Sequence, residues 1–109
     1  MSFIYLASPY AHPDPKVIEE RYRQAMKAVH QMLLIPIWVY SPIVHCHELA
    51  KIYDLPKSHE FWEAYDFAML AASSSLMILR LPDWEISKGV LNERAEAERL
   101  GVPREYMDP

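Results

Sequence analysis

Glycine is nearly missing from this chain: Gly89 and Gly101 are the two in 109 residues. The loop after the first strand pattern, Ser8 to Pro15, contains none. That excludes the glycine-rich cradles of P-loop and dinucleotide-binding proteins, whose backbone must come close to a phosphate. Cysteine is represented by Cys46 alone, which excludes an internal disulfide and points to a reducing compartment. No excess of basic residues exists, since the net charge is −4. A nucleic-acid backbone and an anionic membrane surface are therefore poor partners. No apolar run approaches the 18 or so residues that a membrane span needs. No basic, then apolar leader pattern precedes the first strand, so the reading expects no signal peptide and a cytoplasmic location.

What the chain does have is an ordinary globular composition, 51% apolar and 24% charged, at a length that fits one domain over 1–109. Phe3 to Ala7 reads as a short buried strand ended by Ser8-Pro9. Asp14-Pro15 reads as an N-cap and first helical residue. Ile18, Tyr22, Ala25, Val29 and Met32 then recur at helical spacing. Ile37 to Ser41 reads as a second strand, followed by Ile43 to His47 in extended form. Ser58 starts another helix, with Phe61, Tyr65, Ala68, Met69 and Ala72 expected on its buried side. Leu76 to Leu79 is a third strand, Ser87 to Gly101 frames the last helix, and Glu105 to Met107 is a possible further strand. Alternating strands and helices predict an α/β fold: a doubly wound parallel sheet of four to five strands with helices on both faces.

In such sheets ligands bind beyond the carboxyl ends of the strands. That rule gathers Tyr10, His45, Trp84 and Ser87 at one edge, with Glu93 a turn and a half into the last helix. Gly89 and Glu93 are four residues apart and share a helix face. A glycine there costs about 1 kcal/mol against alanine, so the missing side chain suggests a hole beside the carboxylate. Ser87 as N-cap adds a helix end that attracts anions. Glu93 could equally be a solvated helix acid, like Glu96 and Glu98. Asp66 is the lone acid between Ala64 and Ala72, on the same face as Trp62. It could be a buried acid held by a backbone N–H or by Arg80, or the second member of a carboxylate pair. Two carboxylates about 5–10 Å apart are what glycoside cleavage requires. His45 and His47, with His59, fit no established zinc spacing, so no metal is expected, and no cofactor is implied. Cys46 has no base clearly placed to make it a nucleophile. Trp62, Trp84 and Tyr10 could stack on a ring.

Four segments in order carry a resemblance over nearly the whole chain: Tyr5-Leu6-Ala7-Ser8-Pro9-Tyr10, Ser41-Pro42-Ile43-Val44-His45, Phe61 to Asp66, and Ser87-Lys88-Gly89-Val90-Leu91-Asn92-Glu93. Together they resemble the nucleoside 2-deoxyribosyltransferase-like superfamily. The closest likeness is to a small bacterial subfamily related to deoxynucleoside 5′-monophosphate N-hydrolases. The resemblance implies a flavodoxin-like three-layer sandwich. It also implies cleavage of an N-glycosidic bond in a nucleoside or nucleotide, with Glu93 as nucleophile and Asp66 as the acid that positions substrate and handles protons. Ser87 and Gly89 fall on the turn that holds a 5′-phosphate, and Ser8 and Tyr10 on the first substrate loop. His45 and Trp62 complete the expected substrate contacts. A homodimer or higher homo-oligomer is the implied assembly, and the short stretch after the last helix implies hydrolysis rather than base transfer. The contrasting expectation is a non-catalytic nucleotide or small-ligand binding module on the same scaffold.

Overall fold

A computed structural model describes residues 2–56 and 58–109 of the chain. The described residues form four strands: β1 (Ile4–Ala7), β2 (Val39–Tyr40), β3 (Ser75–Leu79) and β4 (Arg104–Met107). The described residues also form four helices, α1 (Pro15–Leu34), α2 (Pro42–Ile52), α3 (His59–Ala72) and α4 (Lys88–Leu100), with α2 and α3 both lying between β2 and β3. All strand pairs are parallel, in the order β2-β1-β3-β4. The fold is a flavodoxin-like α/β sandwich with a four-stranded sheet.

Strand alternation builds the two sides. Tyr5 pairs with Leu76 and Ala7 with Ile78 across β1 and β3. These four face α3 and α4, packing with Leu70, Val90 and Ala97. Leu6 and Leu79 point the other way, onto Ala28 and Met32 of α1. The chain leaves β1 toward β2 on one side and leaves β3 toward β4 on the other. The crevice beyond the carboxyl ends of β1 and β3 is thus the topological switch point.

Helix starts follow the side-chain chemistry. Asp14 accepts from the Lys16 N–H at 2.9 Å, and Pro15 opens α1. Ser87 caps α4, accepting from the Val90 N–H, and Gly101 closes it in the left-handed conformation at φ 74°.

Two expectations are corrected. Residues 43–47 are not extended: Ser41 caps Val44 at 3.1 Å, Pro42 takes the first helical position, and α2 runs from there. Successive side chains therefore fan out by about 100° instead of alternating, and His45 and His47 do not share a face. On α3 the buried side is not the aromatic stripe. Phe61, Tyr65, Ala68 and Ala72 are exposed, while Leu70 is buried with Trp62, Asp66 and Met69 partly covered beside it. The helix turns its polar Asp66 inward and an apolar stripe outward, the reverse of what hydrophobic burial alone selects.

Candidate active site

The switch-point crevice opens into a cavity of about 510 Å³, within the range of small-ligand sites. Each wall comes from a different element. Ser8 and Tyr10 follow β1, His47 rises from α2, Trp62 and Asp66 from α3, and Ser87, Gly89 and Glu93 from α4.

Glu93 is buried among these groups. It follows Val90 and precedes Ala97 on the face of α4 that packs on the sheet, so the helix carries it into the core, 7% exposed. Burial is the largest influence on its carboxyl and pushes it up to about 8. A hydrogen bond from Tyr5 acts in the opposite sense, and the charge of Asp66 adds to the upward shift. The Tyr5 hydroxyl donates to Glu93 Oε2 from the central strand β1. Tyr5 is itself fully buried, and burial followed by the Glu93 charge holds its ionisation far above the ordinary range. It is therefore a fixed donor.

Asp66 faces the same cavity, and burial raises its carboxyl to about 6. Its Oδ1 is buried and has no hydrogen-bond partner among the described residues; the Ser8 hydroxyl is in the same condition. Arg80 does not serve Asp66, since it pairs with Asp108 at 2.8 Å beyond β3. Buried polar atoms normally find partners. Asp66 Oδ1, the Ser8 hydroxyl and His59 Nε2 lack one, and all three residues line the cavity, where a ligand would engage them. Gly89 lines the same wall, and a β-carbon built there meets no protein atom within 4 Å. Packing does not demand the glycine, so its absent side chain widens the cavity one turn below Glu93.

The cavity brings together Ser8, Tyr10, Trp62, Asp66, Ser87, Gly89 and Glu93. His45 is not among its lining residues. It lies exposed on α2, where Tyr65 meets its Nε2 at 3.1 Å. Trp84 packs on the core and against Tyr106 instead. Three cavity or pair residues escape a reading of the sequence. His47 lines the cavity in place of His45 because α2 is a helix. Arg21 lines it too, buried, donating to the Ala11 carbonyl at 2.9 Å with Asp83 at 3.6 Å. Tyr5 reads as plain core, although a tyrosine in an aliphatic strand needs a partner for its hydroxyl. The Cys46 thiol is raised to about 11 by burial and then by the Asp66 charge, which removes it as a nucleophile. Among the described residues no group of three or more His, Cys, Asp or Glu side chains could hold a metal ion.

The raised Glu93 carboxyl has a consequence for stability. The folded chain holds its proton up to about pH 8, whereas an unfolded chain releases it near the ordinary value of 4.5. Between those values the native state binds more protons, so stability falls as pH rises. Glu93→Gln removes this loss. The melting temperature of the variant is expected to exceed that of the wild type increasingly from pH 5 to pH 8 and to level off above it. A difference that does not vary with pH would show that Glu93 is not held protonated.

A family model described as a domain of unknown function, DUF1937, matches residues 2–108. No curated protein matches the chain. With nearly every residue covered by that model, the chain belongs to the DUF1937 family.

Proposed function

We propose that the protein cleaves the N-glycosidic bond of a nucleoside or nucleoside 5′-monophosphate, with water as the acceptor, and is kin to the nucleoside 2-deoxyribosyltransferase-like enzymes. The observation that carries this reading is the pair of cavity carboxylates, Glu93 and Asp66, with Glu93 oriented by Tyr5. Burial raises each carboxyl, and the Asp66 charge adds to the shift of Glu93. Such a pair titrates as a unit. Between about pH 6 and pH 8 it retains one proton, held mainly by Glu93. The reactive arrangement is the other one, with the proton on Asp66 and Glu93 ionised against the Tyr5 hydroxyl.

From that arrangement a Glu93 oxygen attacks C1′ of the sugar. The C1′–N bond breaks, its electron pair stays on the base, and Asp66 delivers the proton that the base needs. Water then attacks C1′, the glycosyl–Glu93 ester bond breaks, and the carboxylate is regenerated. Trp62 and Tyr10 supply aromatic faces for the base. Ser87, at the N-terminus of α4, and Lys88 supply a favourable end for a 5′-phosphate.

A panel of ribo- and deoxyribonucleosides and their 5′-monophosphates, assayed for free base, tests the reading. The wild type is expected to release base from at least one, and Glu93→Ala to lower that rate by a thousandfold or more. The kcat/KM profile should be bell-shaped, rising as Glu93 ionises and falling as Asp66 loses its proton, with its limbs near 6 and 8. Asp66→Asn should abolish the alkaline limb. Full activity in Glu93→Ala would remove Glu93 as the nucleophile, and ligands that stabilise the protein without being consumed would move the site to binding alone.

The same reading carries a homodimer. It is supported by the exposed Phe61 and Tyr65 on α3 and by the exposed Leu49 and Ile52 on α2, with exposed Tyr53 just past its end. Sedimentation is expected to give twice the 12.8 kDa chain mass, and Tyr65→Glu to shift it toward the monomer. A wild type that stays monomeric at high concentration would end that part of the proposal.

A further inference from the structure

The Tyr5–Glu93–Asp66 group occupies one part of the cavity wall, and a second, separate set of linked side chains occupies another. His47 is buried on α2, and both its ring nitrogens are engaged. Nε2 meets Glu19 Oε1 at 3.0 Å, and Nδ1 meets the Tyr10 hydroxyl at 2.7 Å. The ring stacks on Tyr22 with centroids 4.1 Å apart, which fixes its plane. Glu19 comes from α1 and is also held by Lys51 Nζ at 3.2 Å. Hydrogen bonds from His47 and then Lys51 keep its carboxyl below the ordinary range, so it is ionised at neutral pH and can only accept.

The direction of the chain follows from that charge. Nε2 must carry the hydrogen given to Glu19. In neutral His47 this leaves Nδ1 as an acceptor, and the Tyr10 O–H donates to it. The hydrogen of Tyr10 thus points away from any cavity ligand. The lone pairs of its oxygen are left to accept, and Tyr10 lines the cavity. The remaining charged group near the ring is Glu48, 4.0 Å from Nε2. Cys46 lies close enough to Tyr10 to affect its ionisation.

We propose that Tyr10 is the water-activating residue of the cavity, with His47 and Glu19 positioning it and taking up its proton. The inference rests on the glycosidic reading above and assigns the step that the carboxylate pair leaves open. Once the base has left, Asp66 is ionised and C1′ is esterified to Glu93. A water oxygen forms a bond to C1′ while the C1′–Oε bond breaks back to the Glu93 carboxylate. The water gives one proton to the Tyr10 oxygen as Tyr10 passes its own to His47 Nδ1. The imidazolium formed lies against ionised Glu19. Its proton then returns through solvent to Asp66, which had given one to the base. Base and sugar each leave with one half of a water molecule, and no oxidant or second substrate is involved.

Tyr10→Phe and His47→Asn test the proposal on the best substrate of the nucleoside and 5′-monophosphate panel. Tyr10→Phe removes a single oxygen, so it keeps the test open if the histidine variant folds poorly. First-turnover release of base is compared with the steady-state rate. The ratio of the two is expected to rise at least tenfold in Tyr10→Phe, with a glycosyl adduct on Glu93 accumulating by mass spectrometry. Azide, which attacks without giving up a proton, is expected to restore turnover and yield a glycosyl azide. A merely structural role would not be rescued in that way. An unchanged ratio, or no rescue by azide, overturns the role of Tyr10 while leaving base release by Glu93 standing. A wild type that releases no base from any member of the panel removes the glycosidic reading and this step with it.

Discussion

A hydroxyl on the central strand, aimed at a carboxylate on the last helix, is the contact around which this fold is arranged. Tyr5 sits between the neighbouring strands β2 and β3 and is completely buried, so its direction is fixed by the pleat of β1. Glu93 must be brought to it on the face of α4 that also carries Val90 and Ala97. That requirement sets the rotation of α4, and the caps at Ser87 and Gly101 set its length. A buried acid on a helix is costly unless a donor meets it or a proton neutralises it. Here both occur, and the structure keeps a carboxyl that is far from its ordinary titration range.

The rest of the cavity is arranged to preserve this tension. α3 turns Asp66 inward and leaves Phe61 and Tyr65 in contact with solvent. A core selected for stability alone would have rotated the helix the other way. The pair then keeps a proton to higher pH than Glu93 would alone in the same surroundings, because the charge of Asp66 resists the ionisation of Glu93. A second set of charges, Glu19 with Lys51, is kept near the surface and connected inward through His47. The cavity therefore has a protonated, poorly solvated carboxylate pair and an imidazole backed by an ionised carboxylate. Those are different acid–base characters on one wall, and they suit different halves of a two-step displacement.

Much of the architecture can be read directly from residue order. Asp14-Pro15 and Ser87 with Gly101 mark helix ends because cap chemistry is local, and the short apolar runs at β1 and β3 are bounded by proline or serine. The pairing of Gly89 with Glu93, and of Trp62 with Asp66, is likewise local, since each spans one helical turn. What could not be read is whatever depended on a neighbour across the fold. Ser41-Pro42 has the same cap-then-proline form as Asp14-Pro15, yet the β-branched residues after it imitate a strand, which points His45 at the crevice where the structure has His47. The face that α3 buries is hidden in its sequence because its aromatic stripe is stronger than its polar one. Arg21 interrupts the apolar stripe of α1 between Ile18 and Ala25, a local sign of a buried partner, but its target, the Ala11 carbonyl, is set by a loop.

The account depends most on the claim that the Glu93–Asp66 pair keeps a proton at neutral pH. Infrared titration of the carboxyl C=O band in the ligand-free protein measures this without any substrate. A protonated carboxyl is expected to persist at pH 7, to disappear near pH 8, and to be missing in Glu93→Gln. Complete ionisation of every carboxyl group below about pH 5 would contradict it.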